Sequence, residues 1–424
     1  MSQQKRRIIS RSAFNLLLLA IAICFVQCST SKNLSETSVA LAPMLKTDIS
    51  YLASDALEGR STGEKGEKLA AEYIVKRMKE AGLEPKGTNG FYQDFGVKNK
   101  DNPHGAEFAE KGEISVRNVI GFLDNNADHT VVIGAHYDHL GWEHAGSLYP
   151  DGRAIHNGAD DNASGVAGML YLMNALKGKN TGNNYLFIGF SGEEYGLWGS
   201  NYYTKNPTID LDDVTYMLNM DMIGRLNQEG VLSINGVGTS PSWKEAMADV
   251  NIPGISTVTT DGGMGGSDHT SFYISEIPAV HFFTGQHEDY HKPSDDEDKI
   301  NYEGLAKIMD YMMALIEELE DDGELVFTET KNEEQARRSF KVTLGVMPDY
   351  LYDGSGMRID GVRPDRPAAL AGIEKGDIVL QMGDYEVDGM EGYMNLLAKF
   401  NPGDSIMVKV KRGDMVLNKK VTFD

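Results

Sequence analysis

Histidine and acidic residues recur in five short stretches of this chain, at spacings that suit a metal centre. The stretches are residues 136–139, 158–162, 191–194, 219–222 and 287–291. Imidazole and carboxylate groups bind zinc and similar divalent ions where thiolates are absent. Any single stretch is also explained as a helix cap, a complement to a helix dipole or a surface loop. Five of them along one region predict a metal site.

The adjacent acids Glu193 and Glu194 indicate what such a metal would be used for. Neighbouring side chains point in different directions, so one carboxylate can bind the ion while the other stays free as a general base. Metal-assisted hydrolysis needs this division of roles. Asp138, two residues after His136, is placed to accept a hydrogen bond from the second ring nitrogen of that histidine.

The composition narrows the chemistry further. Cys24 and Cys28 are the two cysteines, so we expect neither a thiolate metal site nor a disulfide framework in the folded body. The formal net charge is −23, from 40 basic and 63 acidic residues. Because a chain this acidic is repelled by nucleic acid and by anionic membrane surfaces, nucleic acid is excluded as a main partner.

Apolar runs and helical stretches alternate through the region that holds these acids and histidines. The predicted strands are 131–134, 185–188, 216–218 and 279–283, and the predicted helices are 64–82, 163–176, 194–203 and 302–318. This alternation predicts an α/β fold with a mixed, mostly parallel sheet sandwiched by helices. Ligand sites in open α/β sheets lie at the carboxyl ends of the strands, and the five stretches occupy loops at those ends.

The last part of the chain, residues 339–424, has another pattern. Short β runs are separated by Gly, Pro and Asp turns, with one helical piece at 390–400. Residues 366–379 resemble PDZ domains of the bacterial protease-associated type. The resemblance implies a small, mainly β domain that binds an extended peptide or a protein C-terminus by strand addition. Leu344, Gly345 and Val346 would supply backbone N–H groups to the terminal carboxylate.

Residues 1–28 predict export. Four basic residues precede an apolar run of about 14 residues, which is shorter than the roughly 20 that a spanning helix needs. The run leads to Cys28, in a setting that resembles a bacterial lipoprotein cleavage site; an ordinary signal peptide or a short uncleaved anchor are the alternatives. We expect a cell-envelope protein that is lipid-anchored at Cys28, in the periplasm or at the outer membrane, and that touches the membrane only through this anchor.

Together, the five stretches resemble the co-catalytic di-zinc aminopeptidase family, which also includes glutamate carboxypeptidases and glutaminyl cyclases. Residues 59–83 resemble the N-terminal signature of that family. The resemblance implies two zinc ions per chain and peptide substrates. It also implies a cis peptide bond between Asp160 and Asp161, and the following roles: Asp160 bridges the ions, His136 and Asp221 complete one site, Glu194 and His291 complete the other, Glu193 is the general base and Asp138 supports His136.

The sequence therefore predicts an exported zinc exopeptidase, with an aminopeptidase favoured. The predicted organisation is a lipoprotein-type signal peptide at 1–28, a tether at 29–42, a di-zinc peptidase domain at 43–325, a linker at 326–338 and a PDZ domain at 339–424. A carboxypeptidase would need arginine near the pocket to bind a substrate carboxylate, and Arg153 and Arg225 are the nearest in sequence.

Other activities stay open at this point. A glutaminyl cyclase-like member of the family needs one zinc ion, and a catalytically weak protein would use the PDZ domain as an adaptor. Residues 189–193 also come close to a serine nucleophile elbow, but Glu193 stands where that motif has glycine.

Overall fold

The fold is described by a computed structural model for residues 42–98, 113–144, 146–320, 322–330, 341–348, 354–362 and 366–423. The larger unit contains one sheet built from these strands: β1 Glu84–Pro85, β2 Tyr92–Lys98, β3 Glu113–Leu123, β4 Thr130–His136, β5 Asn184–Phe190, β6 Val214–Met220, β7 Val231–Asn235, β8 Ser256–Thr260 and β9 Ala279–Phe283. Their order is β1-β3-β5-β4-β6-β9-β7-β8, with β2 paired to β3.

The sheet is mixed, as predicted. Strands β5, β4, β6 and β9 are parallel neighbours at its centre. The flanking strands β3 and β7 run antiparallel to β5 and β9. Because the four central strands run in one direction, their carboxyl ends lie at one edge of the sheet, where the predicted metal ligands follow them.

Helices cover both faces of this sheet. They are α1 (residues 42–52), α2 Lys65–Ala81, α3 Gly165–Ala175, α4 Trp198–Lys205, α5 Ser242–Asp249, α6 His269–Ile274 and α7 Tyr302–Glu318, with a 3₁₀ turn at Asp55–Arg60 and a single π-helical turn at Ala159–Ser164 before α3. Strand β5 divides its side chains between two cores. Tyr185 and Phe187 pack in the core that contains α2, α3 and α7, whereas Leu186 and Ile188 pack in the core that contains Tyr203 of α4 and residues of α6.

Sequence patterns account for most of these elements. Strands β4, β5, β6 and β9 are buried along their whole length, which is why they appear as continuous apolar runs. Helix α2 ends where predicted, because Gly82 adopts φ +79° and its N–H donates to the carbonyl of Lys79 at 3.0 Å. Helix α4 begins at Trp198, later than the predicted residue 194, because Gly196 and Leu197 have positive φ.

The C-terminal unit is a separate small fold. It contains β10 Val346–Pro348, β11 Met357–Val362, α8 Pro367–Leu370, β12 Ile378–Met382, β13 Tyr385–Glu386, α9 Gly389–Leu397, β14 Ser405–Arg412 and β15 Met415–Thr422. Its strands form one antiparallel sheet in the order β10-β11-β12-β14-β15, with β13 on β12. It has its own core, in which Val408, Val410 and Phe423 are fully buried. This matches the small, mainly β domain predicted there.

The predicted signal peptide, Cys28 and the tether up to residue 41 lie outside the described residues. Among the helices that are described, none combines the length and the apolar character needed to cross a membrane. Of the predicted linker, residues 326–330 are described. The N–H of Thr328 in this segment donates to the carbonyl of Thr239 in the larger unit at 2.8 Å.

Candidate metal centre

Five loops bring histidine and acidic side chains together at the carboxyl edge of the central strands. His136 is the last residue of β4, Asp221 directly follows β6, and Glu194 lies in the loop after β5. Asp161 lies in the turn before α3, and His291 lies in the loop after β9. The strands thus deliver these side chains to one place from positions that are far apart in sequence.

One candidate metal group consists of His136, Asp161 and Asp221. Their ligand atoms lie within 4.8 Å of one another. Nε2 of His136 is 3.4 Å from Oδ1 of Asp161 and 3.3 Å from Oδ1 of Asp221. One imidazole and two carboxylates, with little exposure to solvent, are a ligand set that suits zinc.

A second candidate group consists of His139, Asp161 and Glu194. Nδ1 of His139 lies 2.7 Å from Oε1 of Glu194. His291 lies beside this group, because its Nε2 is 3.2 Å from Oδ2 of Asp161 and 3.3 Å from Oε2 of Glu194. Asp161 belongs to both groups and contacts them with different oxygens, which is the arrangement of a carboxylate that bridges two ions.

The prediction that Asp160 is this bridging residue is wrong, because its carboxylate is engaged elsewhere. Oδ1 of Asp160 accepts hydrogen bonds from the N–H of Gly224 at 2.6 Å and the hydroxyl of Ser164 at 3.0 Å. Its Oδ2 lies 3.1 Å from Nε2 of His287. With both oxygens held on this side, the neighbouring Asp161 is the residue that faces the metal groups.

The cis peptide bond is also one residue away from its predicted place. It joins Asp161 and Asn162, and not Asp160 and Asp161. Both backbone N–H groups before it, those of Asp160 and Asp161, donate to the carboxylate of Asp295 at 3.0 and 3.1 Å. Asp295 is fully buried, and burial raises its pKa to about 6.

The structure adds His139 to the site residues that the sequence indicated. Its stretch, 136–139, was singled out for its histidines, but the implied ligand set used only His136. Nε2 of His139 is buried with no hydrogen-bond partner among the described residues. The spacing could have drawn attention to His139, but two histidines three residues apart do not reveal which group each one joins.

Glu193 and Glu194 have the different environments that separate roles require. The Glu194 carboxylate contacts His139 and His291 through its two oxygens. Among the described residues, no hydrogen bond or ion pair engages the Glu193 carboxylate, while its backbone N–H donates to Oδ1 of Asp138 at 3.2 Å. Glu194 is therefore committed to the candidate metal group, and Glu193 is free to exchange a proton.

Asp138 supports the site in a different way from the one predicted. Nδ1 of His136 lies 3.2 Å from the backbone carbonyl of Asp138 and 3.7 Å from its carboxylate. The two carboxylate oxygens accept hydrogen bonds from the Glu193 backbone and from the hydroxyl of Thr62, the latter at 2.7 Å. Asp138 thus orients His136 with its main chain and the Glu193 loop with its side chain.

The electrostatics are those of a cation site. Burial raises the pKa of Glu193 well above its usual value, against the opposing effect of His136. Burial also acts to raise the pKa of Glu194, but His291 and the hydrogen bond from His139 outweigh it and hold this pKa low. Burial opposes protonation of His136, but Asp221 and Glu193 raise its pKa well above the ordinary range. Divalent ions would supply positive charge where protonated imidazoles now balance the carboxylates.

The stretch Ser267-Asp268-His269, which is not among the five stretches singled out in the sequence, lies close to this centre. Both carboxylate oxygens of Asp268 and both ring nitrogens of His269 are buried with no hydrogen-bond partner among the described residues. Burial raises the pKa of Asp268 to about 7, and His136 opposes this shift. Nδ2 of Asn219, at the end of β6, donates to the hydroxyl of Ser267 at 2.8 Å.

In the C-terminal unit, the predicted peptide-binding residues precede or begin β10. Gly345 adopts φ +72°, and a Cβ there would lie 2.2 Å from Cβ of Arg366, so glycine is required. Its N–H donates to the hydroxyl of Thr343 at 3.0 Å, and the carbonyl of Leu344 accepts from the N–H of Ala368 at 2.9 Å. Val346 starts β10 and pairs with Val362.

Comparison with known proteins agrees with these two units. Residues 118–316 match peptidase family M28, and residues 330–423 match the PDZ domain. An aminopeptidase of Bacillus subtilis is 27% identical over 215 residues, which cover 48% of this chain and 44% of that protein. The chain spans about half the length of curated relatives such as this one.

Solved structures share the fold of the larger unit. A zinc aminopeptidase from Bacillus subtilis superposes with a TM-score of 0.52 at 19% identity, over 67% of this chain and 98% of that chain. A glutaminyl cyclase from Bacteroides thetaiotaomicron superposes with a TM-score of 0.52 at 17% identity, over 65% of this chain and 97% of that chain. The fold is therefore common to peptide hydrolases and to a cyclase, and the residues of the site must decide between these activities.

Proposed function

This chain belongs to peptidase family M28 and carries a PDZ domain, and on that premise we propose that it is an aminopeptidase that uses two zinc ions to release residues from the amino ends of peptides. The observation that supports this most directly is that Asp161 belongs to both candidate metal groups, while the Glu193 carboxylate beside them has no hydrogen bond or ion pair within the described part of the chain. Two ligand groups joined by one carboxylate suit a pair of ions, and a free carboxylate suits a proton carrier.

In this proposal each residue of the site has one role. His136, Asp161 and Asp221 would hold one ion, and Asp161, Glu194 and a histidine, His139 or His291, the other. Zinc bound there would polarise the peptide carbonyl and lower the pKa of a bound water. Glu193 would accept the proton of that water and pass it to the leaving amine, a contribution of about 10²- to 10⁴-fold in rate.

An amino end suits this site better than a carboxyl end. The nearby arginines already face acids or carbonyls. Nη2 of Arg225 donates to Asp289 at 2.8 Å, and its Nη1, which makes no hydrogen bond among the described residues, lies 3.8 Å from the Asp295 carboxylate. The guanidinium of Arg60 donates to backbone carbonyls. Arg153 is exposed and lies 3.6 Å from Glu143. Buried acids such as Asp268 surround the centre instead, and they favour an ammonium group over a carboxylate.

The same site favours hydrolysis over cyclisation. A cyclase needs one ion, whereas this chain provides ligands for two groups, including Asp221 on one side and Glu194 on the other. A pure adaptor would not need a Glu193 carboxylate that no described residue engages, beside a pair of candidate metal groups. Cyclisation can be tested directly by incubating the protein with a peptide that begins with glutamine.

The decisive test compares one peptide with a free and with an acetylated amino end. Release of the first residue is followed by mass spectrometry, with zinc present and after chelation. We expect zinc-dependent release of the first residue from the peptide with the free amino end, and none from the acetylated peptide. Equal release from the carboxyl end of both peptides would indicate a carboxypeptidase, and ring closure of a glutaminyl peptide without release would indicate a cyclase.

We also propose that the protein is exported and lipid-anchored at Cys28, on the strength of the apolar run that leads to this residue. Cys28→Ala should move the protein from the membrane fraction to the soluble fraction. Unchanged fractionation, with a mature N-terminus elsewhere, would contradict the anchor.

For the PDZ domain we propose that it binds an extended peptide end at Leu344, Gly345 and Val346 and so brings long substrates to the peptidase. Deleting residues 339–424 should leave turnover of tripeptides unchanged and slow turnover of long peptides. Equal rates on both lengths would contradict recruitment of substrate.

A further inference from the structure

The segment from Thr62 to Glu67 lies outside the residues that match family M28, yet it contacts the loop that carries Glu193. We propose that Glu67 is a positioning residue: through a hydrogen bond with Ser191 it fixes the 191–194 loop and thereby the place of the Glu193 carboxylate. The inference rests on the proposed function in one respect, namely that Glu193 acts as the general base.

Glu67 is a buried acid that accepts hydrogen bonds from two donors. It is 2% exposed and lies in the first turn of α2. The hydroxyl of Ser191 donates to Oε1, and the N–H of Gly63 donates to Oε2 at 2.6 Å. None of the ion pairs among the described residues includes Glu67. Burying a carboxyl group costs free energy, so a residue that merely filled this space would be expected to be apolar.

The helix that carries Glu67 is itself firmly seated. A Cβ on Gly66 would lie 1.6 Å from the carbonyl oxygen of Leu57, so the start of α2 is in direct backbone contact with the 3₁₀ turn before it. This close approach leaves the direction of the next side chain, Glu67, little freedom. Glu67 therefore provides a rigid point to which a neighbouring loop can attach.

The loop is held by the same segment at two places. At the start of the loop, the hydroxyl of Ser191 donates to the Glu67 carboxyl group. Thr62 binds Oδ2 of Asp138, whose Oδ1 accepts the N–H of Glu193 at 3.2 Å. Between the two attachment points lies Gly192, with φ +76°. With both ends fixed, the backbone of Glu193 has a defined position relative to the metal ligands.

What Glu67 supplies is a hydrogen bond and not a charge. Burial raises the pKa of Glu67 to about 8, and the negative charge of Asp138 adds to this shift. A neutral side chain of the same shape should therefore hold the 191–194 loop equally well. Glutamine can still accept from Gly63 and bond to the Ser191 hydroxyl, whereas leucine fills the space without either bond.

The test uses Glu67→Leu, Glu67→Gln and Ser191→Ala in the full chain at saturating zinc, with Glu72→Leu on the exposed face of the same helix as the control. We expect Glu67→Leu and Ser191→Ala each to lower kcat by about 10- to 100-fold, with KM and bound zinc within about twofold of wild type. Glu67→Gln and Glu72→Leu should keep wild-type kcat. The double variant Glu67→Leu/Ser191→Ala should lose no more than the worse single variant, because both remove one interaction.

Hydrogen exchange of the 191–194 amides gives a second readout that does not depend on the substrate. We expect faster exchange in Glu67→Leu and Ser191→Ala than in wild type, Glu67→Gln or Glu72→Leu. Wild-type exchange and kcat in Ser191→Ala would overturn the inference, as would a loss in Glu67→Gln as large as in Glu67→Leu. If Glu67→Leu fails to fold, Ser191→Ala carries the test. If the wild-type enzyme releases no amino-terminal residue, the proposed function fails while the exchange result still decides the inference.

Discussion

Removing the negative charge of Asp161 should weaken zinc binding far more than removing that of its neighbour Asp160. Asp161 is shared by both candidate metal groups, and it is 3% exposed. Asp160 is equally buried but bonds to Gly224, Ser164 and His287 on the other side. The pair therefore offers two substitutions of the same chemistry, one residue apart, of which one serves as the control for the other.

The expected magnitudes follow from these contacts. Removing one partner from a buried ion pair costs about 3–5 kcal/mol. At about 1.4 kcal/mol per factor of ten, Asp161→Asn should weaken zinc binding roughly a hundredfold to several thousandfold. Asp160→Asn keeps an oxygen at the position that accepts from Gly224 and disturbs one contact with His287. One neutral hydrogen bond is worth about 0.5–1.5 kcal/mol, so we expect at most about a tenfold effect there.

The assay is a competition titration of zinc against a chelator of known affinity, combined with metal analysis of the purified variants. Asp161→Asn should lose zinc from both groups together, because each group contains the residue. Depletion of zinc in Asp160→Asn with normal loading of Asp161→Asn would refute this reasoning and restore the assignment that the sequence suggested. Loss of a single ion in Asp161→Asn would show that the two groups do not share this carboxylate.

Three further outcomes are expected. Glu193→Gln should lower kcat by at least about a hundredfold with normal zinc content, while Glu194→Gln should be zinc-depleted; the reverse pattern in metal analysis would invert the two roles. The raised pKa of Glu67, about 8 against 4.5, means that the folded chain holds an extra proton between these values, so its stability falls as pH rises through that window. Relative to wild type, Glu67→Gln should therefore gain at least about 1.4 kcal/mol in unfolding free energy from pH 5 to 8, and parallel pH profiles in denaturant would contradict this. Gly66→Ala should destabilise the fold by about 1–3 kcal/mol because its Cβ would lie 1.6 Å from the carbonyl oxygen of Leu57, and an unchanged melting temperature would count against that contact.

The central strands could be predicted because burial on both faces makes them continuous apolar runs. The flanking strands could not. Strand β8, Ser256–Thr260, is an exposed edge with one apolar residue, Val258. Strand β3, Glu113–Leu123, includes the buried Asn118, whose side chain bonds to Gln93 and to the carbonyl of Gly199. Partners so distant in sequence are invisible to a periodicity argument, so the antiparallel margins of the sheet emerged only in the structure.

Contacts between residues distant in sequence also decide which of two adjacent acids belongs to the site. The sequence singled out the stretch 158–162 but could not tell which of its two acids faces the candidate metal groups. That choice is made by Gly224 and His287, which occupy the Asp160 carboxylate, and by Asp295, which binds the amides of both acids. Each of these residues lies more than sixty positions away in the chain.

The acidic character of the site links its function to its construction. At least three buried or nearly buried carboxylates, those of Asp161, Glu194 and Asp268, meet in a chain that already carries a net charge of −23. Bringing them together costs free energy that folding alone must supply, since like charges repel and water is excluded. Divalent ions bound at the candidate groups would offset that cost, so we expect metal binding to stabilise the fold. The excess negative charge also gives a physical reason for a peptide to enter with its ammonium end first, which agrees with the proposed release of amino-terminal residues.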